Sequence, residues 1–229
     1  ALYFAIKSYR VFQEVRESAL KSAAMAHEAQ LKMLRYQLNP HFLFNTLNAI
    51  STLILEKNTE LANRMVTKLS SFLRYSLDND PLQKITLEQE LQALQLYLDI
   101  EKVRFEERLS LELDIEDSAN RALIPSLLLQ PLIENAIKYG IARAEGGGHL
   151  KISARVFAGE LLMEVSDDGP GCELVNNNIP DAKGVGLRNT RERLATLYGS
   201  EHSIKLSKTD PHGLTISIRI PYDPKFGTT

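Results

Sequence analysis

"HLKISARVFAGELLMEVSDDGPG", residues 149–171, decides how the second half of this chain folds. Apolar and polar side chains alternate as in a half-buried strand, and Ala158-Gly159 marks a turn. A second alternating run then leads into a glycine-rich loop. Asp167 follows the end of that strand, where its carboxylate would accept a hydrogen bond from a ligand amino group. Gly169 and Gly171 let the backbone approach a flat ring without side-chain clash.

The neighbouring segments supply the rest of a domain. "ITLEQELQALQLYLDIEKVRFEERL" (85–109) opens with a Thr86 N-cap and an acidic first turn, then runs as an amphipathic helix. "LSLELDIE" (109–116) alternates as a strand, and "IPSLLLQPLIENAIKYG" (124–140) reads as an apolar helix carrying Glu134, Asn135 and Lys138 and ending at Gly140. After a polar stretch (172–183), "GVGLRNTRERLATLYG" (184–199) is a Gly-rich helix start, with strands expected at 203–208 and 214–220. Antiparallel strands mixed with helices in this order predict an α/β sandwich with helices on one sheet face.

Together the loops point to a nucleotide. Asp167 suits an adenine amino group, while Gly184 and Gly186 precede a helix whose first free N–H groups point at a phosphate. Lys183, Arg188, Arg191 and Arg193 add positive charge nearby. Asn135, on a facing helix, offers an amide oxygen suited to Mg²⁺, and Lys138 would reach a phosphate oxygen. A single glycine pair is a simple turn; three such elements in this order, with a loop between the last two, are far more specific.

The first third of the chain is helical. No Pro or Gly interrupts residues 8–38, and Leu20, Ala24, His27, Leu31, Leu34 and Leu38 follow a heptad seam, shifted upstream to Phe12, Val15 and Ala19. This predicts an imperfect coiled coil with His27 as a packing residue. Asn39-Pro40 then marks a helix restart, with Asn as N-cap, or a kink in one long helix. Beyond it Leu43, Leu47, Ile50 and Ile54 form the expected apolar stripe, with His41, Asn45, Asn48 and Thr52 opposite. A second amphipathic run carries Leu61, Met65, Leu69, Phe72 and Ser76 and ends at "DNDP" (78–81). Two such helices form a hairpin, and paired hairpins make a four-helix dimer. The exposed His41 is then a solvated surface residue, a capping group or a nucleophile.

Composition narrows the classes. The 229 residues are 44% hydrophobic and 24% charged with net charge −2, which implies no polyanion partner. One cysteine, Cys172, and five scattered histidines exclude a disulfide framework and a zinc cluster. "ALYFAI" (1–6), followed by Lys7, Arg10 and Arg16, reads as the inner end of a membrane helix or as the hydrophobic start of a soluble one. The first reading leads us to expect a full-length protein anchored through a segment preceding residue 1.

"LNPHFLFNTLN" (38–48), "LLLQPLIENAIKYG" (127–140), "VSDDGPG" (165–171) and "GVGLRNTRERL" (184–194) resemble the LytS-like branch of bacterial sensor histidine kinases, over roughly residues 31–221. The first motif is specific to that branch; the others are shared with the wider superfamily of gyrase, Hsp90 and MutL-type ATPases. The resemblance implies an α+β chain with a signalling coiled coil (1–37), a dimerising, histidine-bearing hairpin (38–80) and a Bergerat (GHKL) ATP-binding domain (81–229). It implies ATP-dependent autophosphorylation of His41, aided by Asn45, and transfer to an aspartate of a response regulator receiver domain. Asn135 would be the N-box ligand of Mg²⁺, followed by Lys138 and Tyr139 among the ATP-binding residues. Asp167, Gly169 and Gly171 match the first Gly box; Gly184 and Gly186 match the second, flanked by Lys183, Leu187 and Arg188. A homodimer with no nucleic-acid partner, on the cytoplasmic side of the bacterial inner membrane, is expected.

Two positions depart from related enzymes. Phe42 stands where most histidine kinases place an acid after the phosphoacceptor, so Glu101 or Glu134 would supply one. Pro131 stands four residues before Asn135, where gyrase-type ATPases carry the water-activating glutamate, which disfavours ATP hydrolysis. The rival readings are a Bergerat ATPase that never phosphorylates itself and a degenerate kinase serving as a dimeric binding module.

Overall fold

The computed structural model describes residues 39–78, 83–144, 146–172 and 185–224. The heptad seam with His27, and Lys183 and Gly184, lie outside the described residues. The chain divides into two compact units, Ala1–Leu47 and Asn48–Thr229.

Helix α1 spans Pro40–Leu55. Pro40 takes the first helical position, and the Phe42 N–H donates to Asn39 Oδ1 at 3.2 Å. Its buried side differs from the expected stripe. Phe42, Thr46 and Ile50 are buried, whereas Leu47 and Ile54 are about half exposed, at 49% and 55%. Thr46 tolerates burial because its hydroxyl donates to the Phe42 carbonyl at 2.9 Å, leaving no unpaired donor. Helix α2 (Thr59–Asp78) buries Ala62, Met65, Leu69, Phe72 and Ser76, the expected face with Ala62 in place of Leu61.

Helix α2 packs on α3 (Leu87–Phe105), with the Phe72 and Tyr97 rings 5.8 Å apart and an ion pair between Lys68 and Asp99. Thr86 opens α3 with a full capping box: its hydroxyl accepts the Gln89 N–H, and the Gln89 side chain accepts the Thr86 N–H.

Strand β1 (Lys84–Thr86) pairs antiparallel with β3 (Leu123–Pro125). The expected continuous helix over 124–140 is therefore broken. Ile124, preceding Pro125, is held extended, and the helix begins only at α4 (Gln130–Asn135), with Pro131 in its first turn. A π-helical turn, Ala136–Gly140, continues it.

The main sheet combines β2 (Leu109–Ile115), β4 (Gly148–Phe157), β5 (Glu160–Asp167), β6 (Ser203–Lys208) and β7 (Leu214–Pro221) in the order β2-β4-β5-β7-β6. Only β2–β4 is parallel. Period-two alternation buries Leu150, Ile152 and Ala154 of β4, Leu161, Met163 and Val165 of β5, and Ile216, Ile218 and Ile220 of β7 on one face. The open face is bridged by polar pairs: Lys151 with Glu112 (2.6 Å), Arg155 with Asp114 (2.6 Å) and Ser217 with Glu164 (2.7 Å). Helix α5 (Val185–Tyr198) follows the second Gly-rich segment. No helix among the described residues is long and apolar enough to cross a membrane.

Candidate functional site

Asp167 is the last residue of β5 and continues the inward series Leu161, Met163, Val165. Alternation thus sends a carboxylate to the core side of the sheet, where it is only 6% exposed. Its Oδ1 accepts the Gly169 N–H at 3.0 Å. Burial raises its pKa against that backbone donor, and the neighbouring Asp168 adds to the rise. Asp168 turns the other way, its Oδ1 accepting the His149 N–H at 2.6 Å.

Two glycines wall the Asp167 carboxylate, and a third packs against its backbone carbonyl. A Cβ on Gly140 would lie 2.5 Å from its Oδ1, and one on Gly169 would sit 2.8 Å from the same oxygen and collide with Gly140. Gly213 holds φ +122, and a Cβ there would collide with the Asp167 carbonyl. Beside it, His212 Nδ1 lies 3.1 Å from the Gly169 carbonyl oxygen. Gly140 and Gly213 escaped the sequence reading as site residues; a glycine closing the "IENAIKYG" helix was the available signal, and nothing local marked Gly213.

On the opposite side, α5 meets α4. A Cβ on Gly186 would lie 3.1 Å from Pro131 Cβ and 3.7 Å from the Asn135 side-chain nitrogen. Asn135 is partly exposed, Leu187 is buried, and Arg188 is exposed. Lys138 and Arg143 both approach the half-exposed Tyr139 ring, at 4.9 and 5.2 Å. The expected residues Asn135, Lys138, Tyr139, Asp167, Gly169, Gly171, Gly186, Leu187 and Arg188 thus fall on α4 and its π turn, the end of β5 and the loop after it, or the start of α5.

Arg193 departs from expectation. It does not extend a phosphate-side charge field but is drawn inward, donating to the Ser126 and Leu127 carbonyls.

The two candidate acids, Glu101 and Glu134, share one buried cluster. Glu101 accepts from Arg104 Nη1 at 2.9 Å, and Glu134 accepts from the Gln130 amide at 2.9 Å. Burial pushes Glu101 up to about 7, with Arg104 opposing and the Glu134 carboxylate reinforcing.

On α1, His41 is exposed, and the Asn45 amide nitrogen lies 3.3 Å from either ring nitrogen.

Comparison with known proteins gives this geometry its context. A family model described as histidine kinase matches residues 29–109. One described as histidine kinase-, DNA gyrase B-, and HSP90-like ATPase matches residues 121–224. The chain is 34% identical over 221 residues to the sensor histidine kinase YesM of Bacillus subtilis (strain 168), covering 96% of this chain and 38% of that protein. It is 33% identical over 208 residues to the sensor protein LytS of Staphylococcus saprophyticus, covering 87% and 35% respectively. The solved histidine kinase domain of the Erythrobacter litoralis EL346 blue-light activated histidine kinase matches at 16% identity and TM-score 0.48, over 84% of this chain and 91% of that one. This chain spans little more than a third of the length of these curated relatives, at 38% and 35%. With a helix carrying His41 and a nucleotide-binding ATPase sheet beyond it, the chain belongs to the sensor histidine kinases, in their LytS-like branch.

Proposed function

We propose that this chain is the kinase portion of a two-component sensor, transferring the γ-phosphoryl group of ATP to His41 and then to an aspartate of a response regulator receiver domain. The observation that carries the reading is the buried Asp167 carboxylate at a strand end, with the side-chain-free Gly140 and Gly169 packed directly against it. An adenine amino group donating to that carboxylate fits this arrangement, and no side chain of the wall competes for the space.

The phosphates then lie toward Asn135 and the start of α5. There the chain's own groups supply backbone N–H donors and the Asn135 amide. Among the described residues no three His, Cys, Asp or Glu side chains gather into a metal cage. The Asn135 amide oxygen, with phosphate oxygens and water, would suit Mg²⁺, a hard ion that prefers oxygen ligands. When bound, Mg²⁺ neutralises charge on the phosphates. A neutral ring nitrogen of His41 attacks the γ-phosphorus, the bond to the ADP oxygen breaks, and the ring sheds its N–H proton to solvent. Asn45 orients the ring. Pro131 offers no carboxylate to activate water, which favours transfer to histidine over hydrolysis.

The reading includes a homodimer. Phe44 (66% exposed), Leu47, Ile54 and Leu55 (81%) leave an apolar surface on α1 that a second copy would cover. It also places the kinase on the cytoplasmic side of the inner membrane, where Lys7, Arg10 and Arg16 match the side on which positive residues collect.

The test is labelling with γ-labelled ATP. Wild type should take up acid-labile, alkali-stable label, and His41→Gln should take up none while binding ATP as wild type does. Persistent acid-labile label on the Gln variant would put the acceptor elsewhere.

A further inference from the structure

The turn that launches α4 is held from two sides by charged side chains of distant helices. Glu90 of α3 is 1% exposed; its Oε2 accepts the Leu127 N–H at 2.9 Å and its Oε1 the Leu129 N–H at 3.1 Å. Arg193 of α5 donates through Nη1 to the Ser126 carbonyl at 2.9 Å and through Nη2 to the Leu127 carbonyl at 3.1 Å. Between them Leu127 adopts φ +58, a left-handed conformation that a non-glycine residue keeps only where its surroundings over-determine it.

Local chemistry explains why outside partners are needed. Pro131 has no N–H, so it cannot donate to the Leu127 carbonyl four residues earlier. The Arg193 fork takes that carbonyl and its neighbour together. Tyr75 of α2 closes the cluster, its hydroxyl facing Ser126 with the Glu90 carboxylate nearby.

The two ends of this clamp lie on the elements that bound the candidate phosphate region. Arg193 shares α5 with Gly186, and Gly186 packs on Pro131 of α4, the helix that carries Asn135. We propose that Glu90 and Arg193 are positioning residues for phosphoryl transfer: their clamp on residues 126–129 sets the gap between Asn135 and the start of α5 in which the triphosphate lies. Neither side chain touches the nucleotide. Asp167 lies on β5 rather than on α4 or α5, and only Gly140 of its wall belongs to the helix the clamp launches, so adenine binding should suffer less than triphosphate binding. The proposal rests on the ATP reading of the site.

The experiment uses the full chain with Arg193→Met, Arg193→Lys and Glu90→Gln. AMP and ATP are titrated by calorimetry, and autophosphorylation is measured at saturating ATP, below the unfolding temperature of each variant. AMP affinity should fall less than ATP affinity, so that the affinity advantage of ATP over AMP shrinks. The rate at saturating ATP should fall on the order of a hundredfold, the penalty of about 1 Å of misplacement. Lysine keeps the charge but is a point donor that cannot bridge two carbonyls, so it should fail alongside methionine. Equal loss of AMP and ATP binding would reveal a merely structural role and overturn the proposal. Wild-type rates and affinities in all three variants, or full recovery with lysine, would overturn it as well. A wild-type chain that binds neither nucleotide would overturn the ATP reading itself, a result visible before any variant is made.

Discussion

Gly140 stands directly against the carboxylate of Asp167: a Cβ at Gly140 would lie 2.5 Å from Oδ1 and 2.8 Å from Cγ. The π turn that continues the Asn135 helix and the end of strand β5 are thus one wall. A single methyl group should separate them. Gly140→Ala is expected to displace the carboxylate and weaken ATP binding at least as much as Asp167→Asn, for which losing one charge-assisted hydrogen bond costs about 1.5–3 kcal/mol. Calorimetry with ATP checks both, and wild-type affinity in either would remove Asp167 from the site.

Asn135→Ala should abolish Mg²⁺-dependent phosphorylation and leave the fold intact, because Asn135 is partly exposed and alanine keeps the helix. Circular dichroism verifies the fold, and labelling at saturating Mg²⁺ and ATP reads the activity. Full labelling of the variant would refute its role as a metal ligand.

Glu101 links stability to pH. Burial raises it from 4.5 to about 7, with Arg104 opposing and Glu134 adding. The folded state therefore holds this proton more tightly than the unfolded chain does. That contribution is fully present below 4.5 and is lost as pH rises through about 7. Glu101→Gln, a neutral isostere, should flatten this part of the melting-temperature profile and gain relative to wild type on the alkaline side. Parallel profiles for the two proteins would show that Glu101 binds its proton no more tightly in the folded state than in the unfolded one.

The exposed apolar residues of α1 predict an oligomeric state. Wild type should scatter light as a dimer at micromolar concentration, and Leu47→Glu with Ile54→Glu should give a monomer that still binds ATP, since a charge at the centre of an apolar interface lacks a partner. A monomeric wild type would contradict the dimer.

Much of this was legible along the chain because its causes are local. The alternation over 149–167 specifies both strands and sends Asp167 inward, and the Thr86–Gln89 capping box marks the start of α3. Asn39 and Pro40 mark the start of α1 by the same short-range logic. Each of these signals acts within about four residues, the reach of a helical turn or a strand pleat.

What tertiary structure decided has partners far away in sequence. The role of Arg193 depends on carbonyls 66 and 67 residues earlier, and that of Glu90 on amides 37 and 39 residues later. The enclosure of Asp167 needs Gly140 and Gly213, brought together only when β5 pairs with β7 and the π turn reaches the sheet. The α1 stripe keeps Ile50 but takes Phe42 and Thr46 inward and leaves Leu47 half exposed, because burial follows the packing available and Thr46 satisfies its own hydroxyl. Sequence determined the elements and the chemical groups they carry. Packing decided which of those groups face the site and which hold it in shape, because a side chain's surroundings are set by neighbours that no local pattern encodes.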